Sequence, residues 1–379
     1  MTGGGSGGHI TPLLSLAHEL KRLAPQCEVV YVGHKGDQLD SLKVRTQDFD
    51  FVSFINAGKF RRYHGESLLS HLLDIKTIAL NIRDFFRFIG GIFASLRILR
   101  KIKPDVVFSK GGFVAVPVGI AACILRVPIV THDSDTVPGL ANRIIGRWAS
   151  VKTSGMPAKG KTYVGIPLND QIKPVTIDLQ TQLKKELKIP PSSRLLVVGG
   201  AGNGAQRINE LILAAAPALL DSNPELRIVH VTGATHQKTV QEEYAALLDE
   251  EELAKVTVLG FSNEFYKYSS AADLIINRAG ATSIAEFALE SKACIIIPSP
   301  FLAGGHQLKN AQELTKNDAA VVIDNEVSID EFLAVVGELL NDSARRATLA
   351  ANLHAQAVPD AATKISKILM ATAERQKSG

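Results

Sequence analysis

Short runs of aliphatic and β-branched residues alternate along this chain with longer segments of helical periodicity. Several of these runs hold an unbroken apolar stretch, which is typical of strands that helices cover on both faces. The predicted strands are Glu28–Val32, Val106–Ser109, Ile129–His132, Leu195–Val198, Arg227–Thr232, Lys255–Leu259, Leu274–Asn277 and Ile295–Pro298. Strands joined by crossover helices form parallel sheets, so the sequence predicts an α/β fold with doubly wound, Rossmann-like sheets.

The length of 379 residues predicts two such domains. A stretch rich in Gly and Pro, residues 154–168, lacks apolar periodicity and marks the boundary. We therefore expect an N-terminal domain over residues 1–160 and a C-terminal domain over residues 161–379. After residue 327 the pattern is helical to the end, with an interruption at Pro359.

Composition excludes several classes of protein. With 46% hydrophobic and 21% charged residues the chain is typical of a folded protein and not of a disordered one. A formal net charge of +4 is too small to indicate a nucleic-acid partner. The three cysteines lack metal-ligand spacing, and no signal peptide or spanning apolar run is present, so we expect a cytoplasmic protein, soluble or peripherally bound.

The first candidate site is the glycine-rich segment Gly3–His9, which leads into a helix after Thr11 and Pro12. Glycines allow the backbone to approach a ligand, and the N-terminus of a helix favours an anion. A flexible glycine-rich terminus is the alternative. A phosphate loop normally follows a strand, yet only two residues precede these glycines. Either the translation start lies upstream of Met1 or the sheet lacks one strand.

Two further loops open helices after predicted strands. Gly199–Ala205 lies between a strand and a helix that begins near Gln206, which predicts a nucleotide or phosphate site. A tight structural turn is the alternative. In Asn277–Ser283, Thr282 and Ser283 could cap the helix, and Glu286 one turn later could accept hydrogen bonds from a ribose. A capped helix whose dipole Glu286 compensates explains the same residues equally well.

Taken together, the motifs resemble those of the MurG family of glycosyltransferases. They occur in the family's order over nearly the whole chain: Gly3–Pro12, Gly111–Pro117, His132–Asp135, Pro138–Asn142, Gly199–Ala201, Arg278–Glu286 and His306–Ala311. The resemblance implies a GT-B fold, with two Rossmann-like domains facing a cleft. It also implies transfer of N-acetylglucosamine from UDP-N-acetylglucosamine to undecaprenyl-pyrophosphoryl-muramoyl-pentapeptide, which converts lipid I to lipid II in peptidoglycan synthesis and so serves cell shape and division.

The resemblance assigns residues to each substrate. Donor-binding residues would be Ser6, Gly7, Gly8, Asp135, Asn169, Ala201, Ser262, Ala281, Thr282, Ser283, Glu286 and Gln307. Acceptor-binding residues would be Gly111, Gly112, Asp133 and Asn142. His9 would be the general base that deprotonates the muramoyl 4-hydroxyl, because an imidazole titrates at about 6.5. Attack opposite UDP would invert the anomeric centre, and loop amides with helix dipoles would stabilise the departing UDP without a metal ion or cofactor.

The sequence departs from the family at three places. Asp135 stands where the family commonly has Asn, Asn169 where it often has Arg, and the Gly199 loop is one residue longer. Asp133 and Asp135 also match the metal-binding DxD pattern of the other large glycosyltransferase fold, but two carboxylates underfill a divalent site and the doubly wound pattern argues against that fold.

A basic, aromatic stretch lies between Lys59 and Lys103. Its apolar residues at helical spacing are Ile78, Ile82, Phe85, Phe86, Ile89, Phe93 and Leu96, and Arg83, Arg87, Arg97 and Lys101 lie among them. Such a surface would bind anionic lipid headgroups. The resemblance supports this, because the family's acceptor is anchored in the cytoplasmic leaflet, and it implies a peripheral protein on the cytoplasmic side of the cell membrane. Packing of the same apolar residues into the core is the alternative, and both can hold on different faces.

Two other functions remain open from the residues. One is a related GT-B transferase with another lipid-linked acceptor, or an epimerase of the same fold. The other is a non-catalytic protein that binds nucleotide sugars, which the missing first strand suggests.

Overall fold

The structure is a computed structural model that describes residues 1–4, 7–34, 49–58, 75–200, 205–301 and 303–378. Its residues form two compact units. Unit 1 comprises Met1–Asn169 and Val358–Gly379, and unit 2 comprises Asp170–Ala357. Each unit is a layer of parallel strands covered by helices, so the predicted α/β fold with parallel sheets is confirmed.

Unit 1 contains six strands and five helices in its described part. In chain order they are α1 (Gly7–Leu23), β1 (Val30–His34), β2 (Phe51–Ile55), α2 (Ile75–Ile102), β3 (Val107–Ser109), α3 (Ala115–Ile124), β4 (Ile129–Asp133), α4 (Leu140–Ile145), β5 (Val151–Ser154), β6 (Thr162–Tyr163) and, from the end of the chain, α14 (Ala361–Ser378). All strand pairs are parallel, β1 with β2 and then β3, β4, β5 and β6 in series.

Met1 and Thr2 lie between these two groups of strands. Thr2 forms parallel bridges to Val32 of β1 and to Ser109 of β3. Its amide donates to Phe108 O at 2.9 Å, and the Val32 amide donates to Met1 O at 2.9 Å. The expectation that this sheet lacks its first strand is therefore wrong, because two residues take that place with hydrogen bonds on both sides. The glycine segment that begins at Gly3 therefore follows a strand position in the middle of the sheet.

Both faces of this sheet are buried, as the apolar runs predict. Phe108 packs with Leu13, Leu16 and Ile365 on one face, which α1 and α14 cover. Its neighbour Val107 packs on the other face, which α2 and α3 cover. Successive strand residues point to opposite sides, so a strand covered on both faces is apolar throughout.

The last helix, α14, lies in unit 1 and not in the second domain, where the sequence predicts it. We placed the C-terminal helices with the second domain, but α14 packs against α1. Ile365 and Leu369 join the unit 1 core, and Thr363 donates a hydrogen bond to Glu19. Pro359 lies in the turn where the chain returns to unit 1, so the proline that interrupts the helical pattern also marks the crossing between units.

Unit 2 has one sheet of six parallel strands in the order β12-β11-β10-β7-β8-β9. Its described elements are α5 (Ile177–Glu186), β7 (Arg194–Gly199), α6 (Gln206–Ser222), β8 (Leu226–Val231), α7 (Gln237–Leu247), α8 (Glu250–Leu253), β9 (Val256–Leu259), α9 (Phe265–Ala271), β10 (Leu274–Asn277), α10 (Ala281–Glu290), β11 (Cys294–Ile296), the 3₁₀ turn Ala303–Gly305, α11 (His306–Lys316), β12 (Val321–Val322), α12 (Ile329–Asn341) and α13 (Ser343–His354). The order is that of a doubly wound sheet whose direction of winding reverses between β7 and β10.

Candidate active site

Each sheet reverses its winding at one point, and ligands of doubly wound sheets bind beside the carboxyl ends of the strands there. In unit 1 that point lies between Met1–Thr2 and β3. In unit 2 it lies between β7 and β10. The glycine segments predicted from the sequence follow these strands directly, so the fold brings Gly3 and Gly111 together in one unit and Gly199 and Arg278 in the other.

Two glycine segments touch at the reversal point of unit 1: Gly3–Gly4, which follows Thr2, and the Gly111–Gly112 turn, which follows β3. Gly111 and Gly112 have φ of +93° and +82°, which L-residues rarely adopt. A Cβ atom on Gly112 would lie 2.4 Å from the carbonyl oxygen of Gly4. Tyr31 fixes the Gly3–Gly4 segment, because its hydroxyl donates a hydrogen bond to Gly3 O at 2.5 Å. The two backbones are thus packed so closely that only glycine fits between them.

Helix α1, which follows the N-terminal glycines, begins earlier than the sequence suggests. We expected it after Thr11 and Pro12, but α1 begins at Gly7. Gly7, Gly8 and His9 therefore form its first turn, where backbone amides lack partners within the helix. Ser6 lies outside the described residues, and for His9 only the backbone position is described.

Asn142 and Asp133, two predicted acceptor residues, contact each other at the ends of β4 and α4. Asn142 Nδ2 donates to Asp133 Oδ1 at 3.0 Å and to His132 O at 2.8 Å. Its Oδ1 accepts from Ser109 Oγ at 2.9 Å, and Ser109 Oγ in turn accepts from the Gly111 amide at 3.3 Å. Asn142 is buried. It therefore positions the Gly111 turn relative to Asp133.

Two lysines at this site escaped the sequence analysis. Lys110, 2% exposed, donates from Nζ to Ser134 Oγ. Lys161 pairs through Nζ with Asp133 Oδ2 at 2.6 Å. Burial lowers the pKa of Lys110 to about 8, although Asp135 and Asp133 oppose this. A lysine followed by two glycines resembles a solvated loop, and Lys161 is 28 residues from Asp133 in sequence, so no local pattern indicated either.

Both carboxylate oxygens of Asp133 have partners, and the positive charge of Lys161 offsets the negative charge of this carboxylate. Its Oδ1 accepts from Asn142 and from the Gly139 amide at 3.3 Å, and its Oδ2 from Lys161. Burial, and then the charges of Lys110 and Lys161, hold the pKa of His132 well below its ordinary value, so this imidazole is neutral. Among the described residues no three His, Cys, Asp or Glu side chains are grouped so that they could hold a metal ion.

At the reversal point of unit 2, β7 and β10 end beside each other. A Cβ atom on Gly199 would lie 3.5 Å from Asn277 Nδ2. Ala201 lies outside the described residues, whereas the helix after its loop begins at Gln206 as predicted. Helix α10 begins at Ala281 after Gly280, which carries no side-chain cap. The prediction that Thr282 and Ser283 cap this helix is wrong, because both lie within its first turn.

Glu286 lies on α10 one turn after Ala281. Burial raises the pKa of its carboxyl to about 7. Glu290, one turn further, is fully buried, and its Oε1 accepts from Ser269 Oγ at 2.9 Å and Ser270 Oγ at 3.0 Å. Within the described part of the chain Oε2 has no partner. Burial and the charge of Glu286 raise the pKa of Glu290, so a neutral carboxyl lies behind Glu286.

Other predicted donor residues have structural tasks. Gln307 Oε1 accepts from the Ser299 amide at 2.8 Å and so anchors the loop after β11. Ser262 Oγ accepts from the Glu264 amide at 3.1 Å, a local turn before α9. Asn169, half-buried, is the last residue of the first stretch of unit 1, while Asp135 is half-buried in the loop after β4.

The basic, aromatic stretch forms α2, whose residues divide between two faces. Leu96 and Leu99 are buried in the core, whereas Ile82, Phe85, Phe86 and Phe93 are at least half exposed. Arg83 and Arg87 flank the buried Asp84 on the exposed side. Beside them a groove of about 590 Å³ separates α2 from Phe54 of β2. None of the helices described is both long and apolar enough to cross a bilayer.

Comparison with known proteins matches this arrangement in both units. Residues 1–152 match the glycosyltransferase family 28 N-terminal domain, and residues 194–365 match the family 28 C-terminal domain. A protein of Listeria monocytogenes named UDP-N-acetylglucosamine--N-acetylmuramyl-(pentapeptide) pyrophosphoryl-undecaprenol N-acetylglucosamine transferase is 32% identical over 98% of this chain and 98% of its own length. A protein of the same name from Natranaerobius thermophilus is 28% identical over 97% and 98%.

Solved structures show the same fold. The crystal structure of Acinetobacter baumannii MurG superposes with a TM-score of 0.73 at 23% identity and covers 98% of both chains. A UDP-GlcNAc 2-epimerase from Neisseria meningitidis, bound to UDP-GlcNAc, superposes with a TM-score of 0.64 at 11% identity over 97% and 98%. Likeness at these identities concerns the fold and does not choose between transfer and epimerisation.

Proposed function

The chain belongs to glycosyltransferase family 28 and within it to the MurG transferases, and we propose that it catalyses their reaction with the residues described above. It transfers N-acetylglucosamine from UDP-N-acetylglucosamine to the muramoyl 4-hydroxyl of lipid I and so forms lipid II. The observation that carries this proposal is that each unit places a glycine turn and a helix N-terminus at the reversal point of its sheet, which suits two diphosphate-bearing substrates.

The donor is assigned to unit 2. The uridine and ribose bind at the first turn of α10, with Ala281, Thr282 and Ser283 at the nucleotide and Glu286 accepting from the ribose hydroxyls. The half-buried position of Glu286 supports this, because a carboxylate shielded from water forms stronger hydrogen bonds. Gln307 acts at the sugar through the loop that it anchors.

The acceptor is assigned to unit 1. Its diphosphate binds at the turn of Gly111 and Gly112, which packs so closely against Gly4 that a side chain on Gly112 would clash with it. Asn142 and Asp133 fix that turn. Ser6, Gly7 and Gly8 are assigned to diphosphate binding, as the resemblance implies.

We assign the chemistry to His9 as general base. It removes the proton of the muramoyl 4-hydroxyl while that oxygen attacks C1 of the sugar, and UDP leaves from the opposite face, which inverts the anomeric centre. Free amides in the first turn of α10 stabilise the charge on the departing UDP, so the proposed mechanism needs no metal ion.

The exposed face of α2 is assigned to the membrane, where the lipid-linked acceptor resides. Its phenylalanines provide apolar area and its arginines attract anionic headgroups. This makes the enzyme a peripheral protein of the cytoplasmic leaflet.

The test is transfer of radiolabelled sugar from UDP-N-acetylglucosamine to a lipid I analogue. We expect His9→Ala to lower kcat by at least ~100-fold and Glu286→Ala to raise the KM for the donor about tenfold or more. Glu313→Ala, at a half-buried glutamate of α11 whose side chain pairs with Lys316, is the matched control and should behave as wild type.

Three outcomes would contradict the proposal. Normal transfer by both variants would refute the residue assignment. Conversion of the donor to its 2-epimer without acceptor would indicate an epimerase, and donor binding without any turnover would indicate a non-catalytic binding protein.

A further inference from the structure

Lys110 connects three strand ends at the reversal point of unit 1. Its backbone amide donates to Thr2 O at 2.9 Å, in the middle of the sheet. Its side chain extends the other way and donates to Ser134 Oγ in the loop after β4. The glycine turn Gly111–Gly112 follows it directly. One residue thus sets the position of this turn relative to the loop that carries Asp133 and Asp135.

The charge of Lys110 matters because two carboxylates lie beside a site assigned to an anion. Asp133 is neutralised by Lys161 at 2.6 Å. Asp135 and Asp133 are the carboxylates whose charges act on Lys110. Without this ammonium the loop would carry an excess of negative charge next to the acceptor diphosphate, and like charges in a shielded site repel strongly.

A lysine that is 2% exposed is costly to keep charged. Among the described residues, the titratable groups that face it are His132, Asp133, Asp135 and Lys161. Burial disfavours the ammonium and the two aspartates favour it, while His132 is neutral. This environment lowers the pKa of Lys110 to about 8, so the charge is present at neutral pH and is lost in mildly alkaline solution.

We propose that Lys110 is a positioning residue for the acceptor: its ammonium holds the Ser134 loop against the glycine turn and, together with Lys161, offsets the two aspartates, so that the acceptor diphosphate can bind. The inference rests on the proposed function and adds a residue and a charge requirement to it. Lys110 acts through the loop and the turn, and it does not contact the reacting atoms.

The experiment compares variants of the full-length enzyme in the transfer assay. Lys110→Met is expected to raise the KM for the lipid I analogue at least about tenfold, because a buried charge-assisted hydrogen bond is lost. The KM for UDP-N-acetylglucosamine, which binds to unit 2, should stay within about twofold. Ser134→Ala keeps the charge and removes the hydrogen bond from Lys110 to this loop, so it should raise the acceptor KM by a smaller factor.

Lys152→Met is the matched control. This lysine is exposed on β5 of the same unit, so its removal changes the net charge equally without touching the Lys110 contacts. We expect its acceptor KM to equal that of wild type. An equal rise in Lys152→Met and Lys110→Met would overturn the inference, because the effect would then be one of overall charge.

A pH profile separates the proposed role from simple support of the fold. For wild type, kcat/KM for the acceptor should fall as pH rises through about 8, because Lys110 loses its charge there. In Lys110→Arg the charge persists, since a guanidinium titrates above ~12. That variant should keep the acceptor KM within about threefold at pH 7 and lose the alkaline fall.

These variants also keep the test decisive if Lys110→Met does not fold. An alkaline fall that persists unchanged in Lys110→Arg, or a normal acceptor KM in Ser134→Ala at pH 7, would overturn the role of Lys110 while transfer by wild type still supported the proposed function. Absence of transfer by wild type would instead refute the proposed function.

Discussion

Lys161 Nζ lies 2.6 Å from Oδ2 of Asp133, on a carboxylate whose other oxygen accepts from Asn142. Both side chains are largely buried, with exposures of 11% and 8%. Removing one member of such a pair leaves the other charge buried and alone, which costs more than the pair itself contributes.

Lys161→Met should therefore lower the free energy of unfolding of unit 1 by about 3 kcal/mol. The single tryptophan of the chain, Trp148, lies in unit 1 and reports its unfolding by fluorescence in a urea titration. The double variant Asp133→Asn with Lys161→Met should lose less than the sum of the two single losses. Additive losses would show that the pair is not coupled.

Gly112→Ala tests the close approach of the two glycine turns. Gly112 and Gly160 both have positive φ, +82° and +73°. A Cβ atom would meet the Gly4 carbonyl at Gly112 but nothing within 4 Å at Gly160. Gly160→Ala should cost about 1–2 kcal/mol of unit 1 stability through φ alone, and Gly112→Ala about 2 kcal/mol more. Equal losses by urea titration would mean that the turns do not touch.

Donor affinity should depend on the ionisation of Glu286. Burial raises the pKa of this carboxyl to about 7, so it is mostly ionised at pH 8 and mostly protonated at pH 6. Only the ionised form accepts from both ribose hydroxyls, so the Kd for UDP-N-acetylglucosamine should rise about tenfold from pH 8 to pH 6. Calorimetric titration measures this, and Glu286→Gln should bind more weakly with a flat profile. A flat wild-type profile would contradict the assignment.

Glu290 should make unit 2 less stable as pH rises. Its pKa in the folded state is raised by burial and by Glu286, whereas in the unfolded chain it has the ordinary value near 4.5. Above that value the unfolded chain releases a proton that the folded chain retains, so the free energy of unfolding falls, by up to about 1.4 kcal/mol per pH unit. Below it both states are protonated and the effect vanishes.

Glu290→Gln mimics the protonated carboxyl and should remove this fall. The free energy of unfolding of Glu290→Gln should exceed that of wild type, and this difference should be larger at pH 8 than at pH 5. Hydrogen exchange of the α10 amides measures both values. Glu313→Gln, at a half-buried position, is the control. A stability difference that does not change between the two pH values would show that Glu290 is ionised in the folded protein.

The exposed face of α2 should bind anionic vesicles. Replacing Phe86 and Phe93, each 68% exposed, by Ser should weaken cosedimentation with phosphatidylglycerol vesicles about tenfold or more and leave transfer to a water-soluble acceptor intact. Ile177→Ser, at an 83% exposed position of unit 2, is the matched control. If Ile177→Ser weakens vesicle binding as much, the exposed face of α2 is not the membrane-binding surface.

The strands buried on both faces were the most predictable part of the fold, because their sequence is apolar without interruption. Leu274–Asn277 was predicted with its observed bounds. Four of the described strands escaped prediction. Strands β2 and β5 each contain an exposed residue, both residues of β6 are exposed, and both residues of β12 are half-buried, so these strands gain their conformation from a neighbouring strand. Local pattern cannot show such pairing.

The positions of candidate site residues in the fold were predictable where the pattern is local. Glycine turns that follow strands, and Glu286 one turn into a helix, can be found by spacing. Lys110, Lys161 and Glu290 were missed because burial makes them important, and burial of a lysine or glutamate follows only from the packing of distant segments. The same holds for Met1 and Thr2, which form a strand position only because β1 and β3 bracket them.

The return of the chain to unit 1 has a consequence for its synthesis. Residues 170–357 are continuous and hold a complete core, so unit 2 can fold as soon as it leaves the ribosome. Unit 1 is completed later, since Ile365 and Leu369 add to its core only when α14 packs against α1. At ~5–20 residues per second, roughly 10 to 40 seconds separate Asn169 from Val358 on the ribosome. During that interval the part of α1 that α14 covers has no partner, and such an apolar surface on a nascent chain is one that chaperones bind.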